Sequence, residues 1–354
     1  MSSLDSTPVL VSMGDRSAVG EVRRAAVAVA GRLGFSEDDS GRLALVVTEA
    51  ASNMVKHGGE AGEVFVRPVP YSSPPAVEAL FLDHGFGIAD LPAALRDGFS
   101  TAGSPGTGLG ALSRVADVLD IYSEPGRGTV LFTRVWSRRP PAEAREKAAA
   151  LEIGAVGVPR RGEACSGDGW AIGRAKRGLM LLVVDGLGHG PEAAHAAAEA
   201  IQMFGQEQYD GPTEFLAAAH GALRNTRGAA AAAALLDTGS RQIRYAGVGN
   251  VAASVVSGLE TRSLVSHNGT LGHETRRIQE FLYPWPRGAL IVMHSDGLQT
   301  HWKLDRYAGA LARHPAVIAG LLYRDFTRGR DDVTVLAVRE SIGSAAPGDV
   351  ILDE

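Results

Sequence analysis

The sequence predicts an α+β protein of two domains: an α/β sandwich over residues 1–137, a linker over 138–150, a second sandwich over 151–340 and a flexible tail over 341–354. Three observations carry this. The 354 residues exceed the roughly 100–200 of a single domain. Between Ser137 and Ala150 the chain reads SRRPPAEAREKAAA, paired prolines followed by a charged run without a broad apolar face. Helical periodicity is strong early in the chain, whereas the part after the linker is richer in short strand-like runs.

Each element has its own warrant. Over Arg16–Leu33, apolar residues at Val19, Val22, Ala26, Val29 and Leu33 repeat at helical spacing. A second helix opens at SEDD, where Ser36 caps with Asp39 as the capping-box acid, and stops at Gly58. Strands follow at Gly62–Val69 and Ala76–Asp83, then helices at Leu91–Arg96 and Leu109–Val118. Leu119–Ser123 and Gly128–Trp136 close the domain as a hairpin around Glu124-Pro-Gly-Arg. After the linker, strands are expected at Glu152–Val158, Gly169–Lys176, Leu179–Asp185, Gly228–Leu236, Ile243–Gly247, Ala252–Ser257, Leu290–His294 and Val333–Arg339. Helices are expected at Pro191–Phe204 and Thr213–Asn225. The run Ala229–Ala234 favours helix by propensity, but RGAAAAAALLDTGSRQIRYAGVG has the shape of strand, turn and strand, so a small-residue strand is expected there.

Composition narrows the function. With 35 basic and 40 acidic residues the net charge is −5, which excludes the basic footprint of a nucleic-acid binder. One cysteine, Cys165, supports neither an intrachain disulfide nor a thiolate metal cluster. No apolar run reaches the ~18 residues of a membrane span, and MSSLDSTPVL lacks a signal-peptide layout, so a cytoplasmic protein without a membrane partner is expected. Glycine is 44 of 354 residues and clustered, which points to loops in which the backbone meets a ligand.

The second helix places Glu49 and Asn53 at i and i+4 on one face. An amide oxygen suits a magnesium ion carried by nucleotide phosphates, and a neighbouring carboxylate can take a proton from an attacking hydroxyl. The strand ending DHGFGIAD offers Asp83 to the exocyclic amine of adenine, with Gly85 and Gly87 beside it. In FSTAGSPGTGLGAL a glycine run opens a helix, a setting that favours phosphate. Taken singly, each of these features is an ordinary polar helix face or turn.

Together TEAASN, DHGFGI, GSPGTGLG and EPGRGTV resemble the N box and glycine boxes of GHKL (Bergerat-type) ATPases over Arg16–Trp136. Within them, DGFSTAGSPGTGLGALSRVAD is similar to the RsbT-like anti-sigma and switch kinases that phosphorylate STAS-domain proteins. The resemblance implies Glu49 as general base, Asn53 as Mg²⁺ ligand and Asp83 as adenine anchor of bound ATP. It implies contacts from Gly85, Gly87, Gly106, Thr107, Gly108, Leu109 and Gly110, with Thr129 near the base. Ser52 stands where those kinases carry an arginine.

Beyond the linker, Asp-Gly turns and paired aspartates recur at strand ends: SGDGW with Asp168, VVDGLGHG with Asp185, HSDGL with Asp296, and RDDVT with Asp331 and Asp332. Such turns supply hard oxygen ligands for two Mn²⁺ or Mg²⁺ ions, together with the Gly186 carbonyl. Two such ions can clamp a phosphoryl group and a hydroxide nucleophile. GEACSGD, VVDGLGHG, RYAGVGN, HSDGL and RDDVTV resemble, in order, the SpoIIE/RsbX-like branch of type 2C metal-dependent protein phosphatases, an αββα sandwich. That resemblance places the metals on Asp168, Asp185, Gly186, Asp296 and Asp331, with Asp332 beside them, and makes Asp185 and Asp296 catalytic. His189 and Cys165 are read as loop and packing residues.

The leading expectation is therefore a serine/threonine kinase fused to an opposed phosphatase. Both would act on STAS-domain antagonists or stressosome-type proteins of a sigma-factor pathway. In two alternatives, the first domain binds nucleotide to capture a partner or to gate the phosphatase, which alone is catalytic. The oligomeric state, homo-oligomer included, stays open.

Overall fold

The computed structural model describes residues 8–58, 62–69, 72, 74–96, 108–139, 151–206 and 208–341. Gly106 and Thr107 of the glycine run, most of the linker and nearly all of the tail lie outside them. The chain packs as two units. One combines Ser6–Glu152 with Ala312–Arg324, and the other combines Ile153–Leu311 with Asp325–Ile342. The stretch Ala312–Arg324 packs with the N-terminal unit although it lies far along the chain.

In the N-terminal unit, β1 (Val9–Ser12), β2 (Gly62–Val69), β3 (Ala76–Asp83), β4 (Val118–Glu124) and β5 (Gly128–Trp136) form one antiparallel sheet of order β1-β2-β3-β5-β4. Helices α1 (Ser17–Arg32), α2 (Glu37–His57) and α4 (Gly108–Val115) supply the core, with the short α3 (Leu91–Ala94) between β3 and α4. The cap of α2 forms as expected: Ser36 Oγ accepts from Asp39 N at 3.1 Å. Three acids, Glu37, Asp38 and Asp39, occupy its first turn, where the helix dipole favours them. The helix expected to reach Val118 stops at Val115, because Val118 is already paired with Arg134 in the β4–β5 ladder. The edge strand β1 was not anticipated; its four residues carry too little alternation to read.

Strand alternation sends Val64, Val66, Val77, Ala79 and Phe81 towards these helices, among Val22, Val29, Val46 and Val47. The opposite face carries Phe65, Arg67, Glu78, Leu80, Leu82, Val130, Phe132 and Arg134, and it is covered by a helix from late in the chain, α7 (Pro315–Phe326). A Cβ at Gly320 would lie 2.9 Å from Leu82, 3.0 Å from Val130 and 3.2 Å from Leu80. Tyr323 meets Phe65 edge-on with centroids 5.5 Å apart, and His314, just before α7, stacks on Phe132 at 4.3 Å. At the far edge, Asp120 accepts from His314 N at 2.5 Å and Arg313 Nη1 at 3.2 Å. On the same face Glu78 is held between Arg67 and Arg134 as a buried ion triad.

The C-terminal unit holds two five-stranded sheets. One runs in the order β13-β10-β9-β8-β7, built from β7 (Asp168–Ala175), β8 (Gly178–Gly186), β9 (Ala229–Asp237), β10 (Gln242–Val248) and β13 (Phe281–Pro284). The other runs β12-β11-β14-β15-β6, built from β6 (Leu151–Val158), β11 (Ala252–Ser257), β12 (Glu260–Ser263), β14 (Leu290–His294) and β15 (Val333–Glu340). Helices α5 (Pro191–Gln206) and α6 (Pro212–Ala222) pack on the first sheet around Phe204, Phe215 and Leu216. The alanine run is a strand, as expected, and central in that sheet. Ala229, Ala231 and Ala233 face the helices, and every residue from Ala229 to Leu236 is buried. The expected helix over Thr213–Asn225 ends as a 3₁₀ turn at Leu223–Asn225.

Candidate active sites

The first site lies where α2, the end of β3 and the start of α4 meet. Glu49 and Asn53 stand one turn apart on α2, and a Cβ on Gly108 would be 3.2 Å from both Glu49 Oε1 and Asn53 Nδ2. A side chain here would crowd the pair and make Glu49 and Asn53 give way by a few tenths of an ångström. Asn53 Nδ2 is buried and has no hydrogen-bond partner among the described residues. A buried N–H donor of this kind is costly unless an acceptor completes it, which fits a phosphate oxygen nearby. Leu109 and Gly110 follow in the first turn of α4.

Asp83 ends β3 as a buried carboxylate whose Oδ1 accepts from Gly85 N at 2.8 Å and Thr129 N at 3.2 Å. Burial pushes its pKa up, while these two N–H groups and the positive charge of Arg324 pull it down. The glycines around it serve a purpose the sequence did not reveal. A Cβ on Gly85 would press on the His57 carbonyl and the Gly58 backbone, one on Gly87 would meet the Glu124 carbonyl, and one on Gly128 the Asp83 carbonyl. Gly87 and Gly128 also have positive φ, at 70° and 84°. The glycines thus let three loops close backbone against backbone, forming the floor around Asp83. Thr129 Oγ1 pairs with Ser123 Oγ at 2.8 Å, and that hydroxyl also accepts from Ile88 N.

The second site gathers strand-end carboxylates in the C-terminal unit. Asp168, opening β7, and Asp185, near the end of β8, are registered opposite one another. Gly186 N donates to Gly167 O at 2.9 Å, and a Cβ on Gly186 would strike the Ala193 carbonyl. Asp296 follows β14 and Oδ2 accepts from Asn250 Nδ2 at 2.7 Å. Asp331 and Asp332 precede β15; Asp331 is exposed and Asp332 buried. The charges are mutually repulsive. Burial first, then the charge of Asp185, pushes Asp168 well above the usual carboxylate range. Burial and the charges of Asp296, Asp331 and Asp332 push Asp185 up to about 7.

Among the described residues no three His, Cys, Asp or Glu side chains stand close enough to enclose one ion alone. A Mg²⁺-type site does not require that, because one or two carboxylates, a carbonyl and several waters complete its shell. Asp168 is half-buried, and its enclosed Oδ2 has no hydrogen-bond partner among the described residues. That orphaned oxygen and the hard-oxygen donor set fit divalent cations. Asp332 differs from its neighbours: Oδ1 accepts from Arg160 N at 2.6 Å and Oδ2 from Gly167 N at 2.8 Å, so it braces the loop that carries Asp168. Asn250 and Ser295, whose Oγ accepts from Thr334 N at 2.9 Å, were not singled out from the sequence. His189 pairs with Glu163 at 2.7 Å on the surface, and Cys165 is a half-buried free thiol.

Comparison with known proteins gives these two sites their setting. Residues 14–134 match the histidine kinase-like ATPase domain, and residues 175–340 match the stage II sporulation protein E (SpoIIE) domain. The serine/threonine-protein kinase RsbT of Bacillus subtilis (strain 168) is 32% identical over 110 residues, 31% of this chain and 82% of RsbT. The chain belongs to the RsbT family of serine/threonine kinases. Its RsbT-like domain is joined to a SpoIIE-type, PP2C-like serine/threonine phosphatase domain. Among solved structures, one described as "The bacterial stressosome: a modular system that has been adapted to control secondary messenger signaling" is 30% identical. It covers 53% of this chain and 99% of its own, with a TM-score of 0.50. RsbX in complex with magnesium is 22% identical, with 54% of this chain and 96% of that one covered, at a TM-score of 0.47. No helix among the described residues is long and apolar enough to cross a membrane.

Proposed function

We propose that this RsbT-family chain is a bifunctional switch: the RsbT-like domain phosphorylates, and the SpoIIE-type domain dephosphorylates, STAS-domain or stressosome-type regulators of a sigma-factor pathway. The observation that carries the kinase reading is the packing of Gly108 against Glu49 and Asn53, which opens α4 directly on the base-and-amide pair. In this reading Asp83 accepts the exocyclic amine of adenine, and Thr129 lies near the base. The backbone of Gly85 and Gly87 shapes the floor, while Gly106, Thr107, Gly108, Leu109 and Gly110 approach the phosphates. Asn53 would hold the Mg²⁺ of ATP, which would neutralise phosphate charge when bound. Glu49 takes the proton of the substrate hydroxyl as its oxygen attacks the γ-phosphorus and ADP leaves.

In the phosphatase half, Asp168, Asp185, the Gly186 carbonyl, Asp296 and Asp331 would hold two Mn²⁺ or Mg²⁺ ions, with Asp332 bracing the loop. When bound, such a pair lowers the pKa of water and neutralises phosphoryl charge. The protein's own part is to keep these carboxylates facing one another at strand ends and, through Asn250, to orient Asp296. Label from γ-labelled ATP should appear on a STAS-domain protein with Mg²⁺ and leave as free phosphate when Mn²⁺ is added. No label on several STAS proteins, with dephosphorylation of a pre-phosphorylated one intact, would favour a nucleotide-dependent capture or gating domain.

A further inference from the structure

Arg324 sits near the end of α7, far along the chain, yet it belongs by packing to the N-terminal unit. It is 9% exposed, and its Nη1 donates to the backbone carbonyl of Asp83 at 3.1 Å. The registered β3–β5 pairing ends at Leu82 and Val130, one residue short of Asp83. Asp83 keeps its partner Gly62 in β2, but on the β5 side its carbonyl is packed against Gly128 and tied by a guanidinium rather than by a continuing ladder. Gly320, one turn earlier on α7, allows the helix to lie close on Leu80, Leu82 and Val130, which fixes the reach of Arg324.

Resting on the reading of Asp83 as the adenine anchor, we propose that Arg324 is a positioning residue for nucleotide-base recognition, fixing the end of β3 so that the Asp83 carboxylate meets the exocyclic amine. The positive charge beside Asp83 also favours its ionised, accepting form, opposing the effect of burial. A charge-assisted bond to a carbonyl orients a strand end more firmly than a neutral one. The C-terminal half of the chain thus contributes a residue to the site of the N-terminal half.

The test measures affinities of the full-length protein for ATP and for purine riboside triphosphate, which lacks the exocyclic amine. A site built to accept that amine binds ATP more tightly than the analogue. Arg324→Met should shrink this preference at least several-fold, chiefly by weakening ATP, and Arg324→Lys should restore part of it. An unchanged preference in Arg324→Met, or an equal loss for both triphosphates, would overturn the positioning role. If Arg324→Met does not fold, Arg324→Lys alone decides: an intermediate preference supports the role and a wild-type preference overturns it. A wild-type protein that binds both triphosphates equally would instead remove the adenine-anchor reading itself.

Discussion

Asp168 and Asp185 are direct cross-strand partners, so two carboxylates confront each other where β7 begins and β8 ends. Burial, and then the charges of Asp296, Asp331 and Asp332, disfavour the ionised form of Asp185. Asp185→Asn should therefore raise the stability of the metal-free protein at pH 7.5, by about 1–3 kcal/mol, while abolishing dephosphorylation. Thermal melts in EDTA paired with phosphate release from a phosphoserine peptide check both halves. A lower melting temperature in EDTA would mean that Asp185 is not under electrostatic strain.

Burial and the charges of Asp296, Asp331 and Asp332 also give Asp185 a pH dependence. The Asp185 pKa rises from the usual 3.8 to about 7 in the folded protein, so the native state holds a proton that the unfolded chain releases. More protons bound in the native state means that this group's contribution to stability falls as pH rises from about 4 and levels off past about 7. A divalent cation takes the proton's place. The gain in melting temperature on adding Mn²⁺ should grow between pH 5 and 8 (roughly the window in which this carboxyl ionises). In Asp185→Asn the gain should be small and flat. A flat profile in the unsubstituted protein would remove Asp185 from the ligand set.

On α2, Glu49→Ala and Asn53→Asp should each lower phosphotransfer to a STAS-domain acceptor by ~10²–10⁴, the range expected for losing a general base or the group that holds the metal. Both residues are only half-buried, so melting temperature should move little. Transfer at the unsubstituted rate in both variants would show that the pair is not catalytic.

Glu78 is the shared partner of Arg67 and Arg134 on the sheet face under α7. Glu78→Leu leaves two buried guanidinium groups facing each other, at a cost of about 3–5 kcal/mol. Urea unfolding should show an earlier transition in the N-terminal unit, followed by hydrogen exchange of the β3 and β5 amides. A change under about 1 kcal/mol would mean that solvent reaches the two arginines and shields them.

Much of both sites was legible because short-range chemistry writes itself into spacing. Glu49 and Asn53 share a helix face whatever the tertiary fold, and an aspartate followed by glycine after an apolar run marks a strand end. The alanine strand was legible from its context, since the turn and the alternating strand after it outweighed propensity. What escaped notice depends on the fold. In PAVIAGLLYRDF the residues up to Arg324 are all buried, so α7 has no polar face whose period could be read. Its partners, Phe65, Leu80 and Val130, lie about 190 residues or more away in sequence. Asp332 looked like another ligand because nothing in RDDVT distinguishes the carboxylate that braces Gly167 from the one beside it.

The loan of Ala312–Arg324 to the N-terminal unit bears on modularity. Two catalytic domains in tandem are ordinarily separable: cut the linker, and each piece keeps its core. Here a cut between residues 137 and 151 would strip the N-terminal piece of the helix that covers Leu80, Leu82 and Val130, and would leave that helix's apolar side without its cover. No single break in the backbone yields both units whole. A gene fission at the linker would put that helix and the sheet face it covers on different polypeptides, so the path of the chain couples the two domains at a ratio of one to one.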